Sequence, residues 1–122
     1  MNRSLIIAAA AALAFTGMTA DEAVAGAESK CKTCHTFDKG GKNRMGPNLF
    51  GIVGKKAGSA EGYRYGPYLK GVDFTWDEKR IRAWIEDSGK VAKADGKRTK
   101  MPTQRVKGEK ADEVIAFLKT LK

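Results

Sequence analysis

Cys31-Lys32-Thr33-Cys34-His35 is the stretch on which the reading of this chain turns. Residues at i and i+3 lie on one face of a helical turn. Two thiols so placed reach the same side of a flat partner, and His35 is carried beneath it. This is the spacing by which a c-type haem is attached, with both vinyl groups taken up as thioethers and an imidazole on the iron. The chain has no other cysteine and no other histidine. A His-rich metal cage and a four-cysteine zinc site are thereby excluded, and these three residues alone fall short of a zinc set. A thioredoxin-type dithiol would need a βαβ context, and no run alternates convincingly at period two.

Upstream, Met1-Asn2-Arg3-Ser4 leads into Leu5-Ile6-Ile7 and an alanine run ending at Leu13-Ala14-Phe15. A positive start, a short apolar core and small residues beyond it read as a secretory signal peptide. The run is too short to span a bilayer. Cleavage is expected after Ala20, with Ala25 as the alternative, so residues 1–20 form the leader and 21–122 a single domain. Export to the periplasm is the consequence. Thiols outside the cytoplasm are commonly oxidised, and covalent attachment of a haem would consume both.

Downstream, Asp21 to Lys30 reads as a short helix leading into Cys31. Phe37 to Lys56, with Gly46-Pro47-Asn48, reads as loop, as does Gly58 to Gly71 with its three tyrosines. Thr75-Trp76-Asp77-Glu78 fits a capping box with Thr75 as N-cap. Ile81, Trp84 and Ile85 follow at helical spacing, and Ser88-Gly89 marks the helix end. Lys90 to Lys100 is basic and irregular. A last helix is expected from near Glu109, with Ala111, Val114, Ile115, Leu118 and Leu121 on one face. The predicted fold class is all-α: three or more helices and long loops wrapped around one covalently bound haem. Long ordered loops need something to pack against, and an apolar cofactor supplies it.

A haem iron has a second axial position, and no second histidine exists to fill it. Met1 and Met18 fall in the leader. Met45 follows His35 closely, whereas Met101 lies in the loop between the last two helices and can wrap to the opposite ring face. Pro102 restricts Met101 to extended backbone. Met101 is the preferred ligand.

Together these residues resemble the small soluble class I cytochromes c, particularly the mitochondrial-like and alphaproteobacterial ones, over most of the stretch from Cys31 to Lys122. Gly46-Pro47-Asn48-Leu49 resembles the family's haem-packing loop, which implies that the Pro47 carbonyl accepts a hydrogen bond from the far nitrogen of His35. Gly54-Lys55-Lys56-Ala57-Gly58, Tyr65 and Trp76 fall where the family holds a haem propionate. Trp84 takes the place of a ring beside the methionine, commonly a tyrosine. Lys100-Met101 resembles the family's ligand pair, and Ala111 to Leu118 its C-terminal helix. Ala23 and Ala27 depart from the usual Gly and Phe of the first helix, and Lys55 stands where an arginine often approaches a propionate.

The resemblance implies haem c with iron held by His35 and Met101, and no enzyme. The expected function is a periplasmic one-electron carrier between respiratory or photosynthetic complexes, or from a periplasmic dehydrogenase to an oxidase. Were Met101 not to bind, an open face would make a haem enzyme or gas sensor instead. The 23 Lys and Arg against 14 Asp and Glu, a formal net charge of +9, call for acidic partners. Lys30, Lys32, Lys42, Arg44 and Lys100 flank the haem-contacting segments and are expected to form a docking ring on a monomer. Export argues against a nucleic-acid partner, and no stable membrane insertion is expected.

Overall fold

The computed structural model describes residues 20–122. The expected signal peptide lies outside the described residues except for Ala20. Four helices are described: α1 Ala20–Lys32, α2 Pro67–Lys70, α3 Glu78–Ala94 and α4 Glu109–Thr120. The only pairing of extended backbone among the described residues is an isolated antiparallel bridge between Lys56 and Thr75. The all-α reading therefore holds for this part of the chain.

α1 runs past the expected Lys30 to Lys32 and so takes in Cys31. Lys30 and Lys32 in its last turn oppose the negative end of the helix dipole. The turn then tightens: the N–H groups of Cys34 and His35 both donate to the Cys31 carbonyl, at 3.1 and 2.9 Å.

Two readings of α3 need correction. Its N-cap is Asp77, whose carboxylate accepts from the Arg80 N–H at 2.7 Å, and not Thr75. Thr75 is held in the bridge to Lys56, and Trp76 N–H donates to the Lys55 carbonyl at 2.8 Å. The chain is still extended there, so Asp77 is the first residue free to cap. The helix also does not end at Ser88-Gly89. Its backbone breaks at Asp87, with φ −154° and ψ 86°, and then resumes to Ala94. Asp87 caps the resumed half by accepting from Lys90 N–H at 2.9 Å. The first part of the stretch read as irregular is therefore helical. The stretch read as loop between Gly58 and Gly71 likewise holds the single turn of α2, entered through Pro67, whose fixed φ suits a first helical position.

α4 buries the face expected of it: Ala111, Val114, Ile115 and Leu118 are in the core, with Leu121 packed at its edge. Val114, Ile115 and Leu118 each contribute about 1.5–3 kcal/mol on burial. α4 packs on both α1 and α3. The small Ala27 of α1 lies against this core, and an aromatic contact with α4 comes instead from Phe37, whose ring meets Phe117 edge-on at 5.0 Å. Trp84 of α3 stacks on Tyr68 of α2 at 5.7 Å and tilts against Trp76 at 5.5 Å. Trp76 and Trp84 line one wall of a cleft that α1, α3 and α4 frame, and Tyr68 backs Trp84.

Candidate functional site

The cleft, about 1410 Å³ counted out to its mouth, is lined by Cys31, Cys34 and His35 from the end of α1, by Gly46-Pro47, and by Tyr65, Trp76, Trp84 and Met101. Val114 and Leu118 reach it from α4, two lining residues that the sequence marked only as core. Periodicity shows which residues face inward, not what they face.

His35 is fixed by two contacts. Its Nδ1 lies 2.7 Å from the Pro47 carbonyl. A carbonyl oxygen carries no proton, so Nδ1–H is the donor and Nε2 keeps its lone pair. Burial pushes the imidazole pKa down, and the Pro47 bond partly opposes this. The neutral, metal-binding form is thus favoured. The second contact is Gly46. A Cβ built there would lie 2.3 Å from His35 Cε1 and 2.7 Å from Nδ1. The glycine is needed because the backbone lies against the ring. Gly46→Ala is accordingly expected to displace the imidazole or tear its Pro47 bond. Overpacking of this kind costs about 1–3 kcal/mol, a fall in Tm of roughly 5–15 °C for a domain of this size. A thermal melt read together with the haem absorption of the loaded protein checks it, and an unchanged melt would refute the close contact.

Cys31 and Cys34 are both half-buried and form no disulfide with each other. Burial pushes the Cys31 pKa up, with the Glu28 carboxylate adding to the shift, so that thiol is held protonated. Met101 is partly buried, packs against the core and borders the cleft. Met45 also borders the cleft but is 77% exposed, and its carbonyl accepts from the Tyr63 hydroxyl at 2.7 Å. Tyr65 accepts from Ala60 N–H at 2.8 Å, which leaves its own O–H to donate elsewhere. Trp76 is buried and Lys55 half-buried, both on the lining.

The basic residues around the cleft are more constrained than a solvated ring would be. Lys30 Nζ donates to the Gln104 carbonyl and Lys100 Nζ to the Arg64 carbonyl. Arg44 donates to the Lys32 carbonyl at 3.0 Å, and Lys32 pairs with Glu28 at 3.5 Å. The Lys32–Glu28 pair is an i,i+4 contact within α1, whereas the other three bonds join separate segments and carry no local sequence signal. Lys42 is exposed, and its carbonyl accepts from the Thr36 hydroxyl.

The donor set fits a c-type haem. One cleft with aromatic and aliphatic walls holds two thiols from one helical turn, a neutral imidazole with a free nitrogen lone pair, and a thioether from a separate segment. Among the described residues no cluster of three or more His, Cys, Asp or Glu offers a competing metal site.

Comparison with known proteins agrees with this chemistry. The family model Cytochrome c matches residues 20–122. Cytochrome c2 of Rhodospirillum rubrum is 36% identical, the alignment covering 98% of this chain and 91% of that protein. Cytochrome c-550 of Novispirillum itersonii is 40% identical over 75% of this chain and 89% of its own. Among solved structures, ferricytochrome c2 from Rhodopseudomonas palustris superposes with a TM-score of 0.68 at 32% identity, covering 83% of this chain and 97% of that one.

Proposed function

Since the chain belongs to the cytochrome c family, as a class I member of the alphaproteobacterial type with one covalent haem c, we propose that it shuttles single electrons in the periplasm with His35 and Met101 as axial iron ligands. It is an electron carrier and not an enzyme. The finer reading adds the compartment, the ligands, the partners and a monomeric state. The observation that carries it is the convergence of Cys31, Cys34, His35 and Met101 on one cleft.

The haem, when bound, takes up and releases one electron at its iron. Everything else falls to the polypeptide. Cys31 and Cys34 hold the group by thioethers. Pro47, through Nδ1, orients His35 and keeps Nε2 available, which makes it the better donor. Met101 would supply the second iron ligand from a separate segment of the cleft, and a thioether ligand favours the reduced metal and raises the potential. Trp76, Trp84, Val114 and Leu118 exclude water from the pocket. Tyr65, with its hydroxyl proton free, and Lys55 suit the acidic edge of the group. An absorption spectrum of the oxidised and reduced protein tests the ligand set: a thioether–iron band is expected when oxidised, and Met101→Ala should abolish it. A band that survives that substitution would overturn the assignment.

Export rests on the leader at residues 1–20, and among the described residues no helix is long and apolar enough to cross a membrane. The partners are acidic redox proteins, met at the basic residues Lys30, Lys32, Lys42, Arg44 and Lys100. Interfaces of this kind are small and brief, and long-range charge raises their association rate by about tenfold or more. Screening shortens from about 30 Å at 0.01 M salt to 10 Å at 0.1 M. The second-order rate with an acidic partner is therefore expected to fall steeply over that range. Lys32→Glu and Lys42→Glu should reproduce the loss at low salt, and Lys122→Glu should do little. A rate indifferent to salt, or equally sensitive at all three positions, discards the docking ring.

A further inference from the structure

We infer that the break in α3 is the seat of the Met101 segment, with Ser88 the residue that positions it; the inference deepens the reading of Met101 as axial ligand and rests on it. In an unbroken helix the Gly89 and Lys90 N–H groups would bond to the carbonyls of Ile85 and Glu86. The non-helical backbone at Asp87 cancels this pattern. Lys90 N–H turns to the Asp87 carboxylate. The two carbonyls accept instead from the loop beyond Met101: Ile85 from Val106 N–H at 3.0 Å and Glu86 from Arg105 N–H at 2.9 Å. Helix rungs are exchanged for rungs to the ligand segment.

Side chains at the break complete the seat. The Ser88 hydroxyl, on a residue with no exposed surface, donates to the Met101 carbonyl at 2.8 Å. The Thr103 hydroxyl donates to the Asp87 carboxylate at 3.1 Å. Residues 85 to 88 thus meet residues 106 to 101 in antiparallel order, and the methionine is held at its own carbonyl and on its C-terminal side. Arg105 has φ +55°, a strained backbone for a residue with a side chain, which persists where neighbours impose it. Ser88 touches neither the imidazole nor the thiols by any hydrogen bond; its role is to fix the backbone from which the thioether projects.

Removing one such hydrogen bond shifts the equilibrium between seated and lifted segment by about three- to tenfold. The test uses the oxidised, haem-loaded protein at saturating imidazole, where the rate of uptake reads the lifting of Met101. Ser88→Ala and the exposed Thr103→Val should each raise that rate by about three- to tenfold, and Thr103→Ser should restore it. Amide exchange at Arg105 and Val106 should quicken in step. Ile115→Val, which thins the core on α4, should lower Tm without changing the uptake rate. Unchanged uptake in both hydroxyl variants overturns the inference, as does an equal rise in Ile115→Val at matched Tm, which would mean general loosening. Uptake by the unmodified protein as fast as by Met101→Ala is a different result: it removes Met101 as ligand and the seat with it.

Discussion

Reduced Met101→Ala protein is expected to bind carbon monoxide about a hundredfold more tightly than the parent chain. A ligand reaches the iron only in molecules whose thioether is detached, so its apparent affinity is scaled by the detached fraction. Minor states of this kind are populated at about 0.1–10%. Deleting the thioether makes every molecule competent. The substitution also empties space, because Met101 packs against the core, and a truncation of this type costs about 2 kcal/mol or more. Met101→Leu separates the two effects: it keeps most of the volume, removes the sulfur, and should bind carbon monoxide as Met101→Ala does with less loss of Tm. Titration of the reduced proteins by visible absorption reads both. A hundredfold gain in Met45→Ala, with none in Met101→Ala, would assign the ligand to the exposed methionine instead.

The second large effect is all-or-none. Protein from a maturation-competent periplasm is expected to keep its haem mass through acid and organic extraction, because thioethers are covalent and coordination is not. The chain's only thiols are Cys31 and Cys34. Cys31→Ala or Cys34→Ala leaves one thioether and should lower the yield of loaded protein. The double variant should release all of its haem on extraction. His35→Ala keeps both sulfurs but loses the Nδ1–Pro47 bond and the ring against Gly46, so it should mature poorly and melt early. Intact mass of the bare polypeptide from unmodified, properly matured protein would sink the attachment.

Much of the site was legible because its chemistry is local. Cys31, Cys34 and His35 sit within one turn of each other, and a covalent group admits few alternative spacings. α4 was legible too, since its apolar residues recur at a single period. Where sequence signals failed, a competing contact outranked a local rule. Thr75 is a good N-cap residue, but its backbone was already taken by Lys56. Ser88-Gly89 is a good helix stop, and the helix does break beside it, yet Asp87 supplies a new cap and the chain re-enters the helix.

What the sequence determines by itself is the chemistry: one flat cofactor, two sulfurs to bind it, one imidazole and a short list of candidate sulfurs for the other face. Composition and spacing suffice for this because each residue type offers few ways to meet a metal. What only the tertiary structure decides is how those groups are held. The His35 tautomer depends on a carbonyl 12 residues away. The Met101 backbone depends on a serine 13 residues before it, and Lys30 reaches a carbonyl 74 residues along the chain. Hydrogen bonds of this range follow from how loops close in space, and loop closure is set by the packing of α1, α3 and α4 around the cleft rather than by any local run of residues.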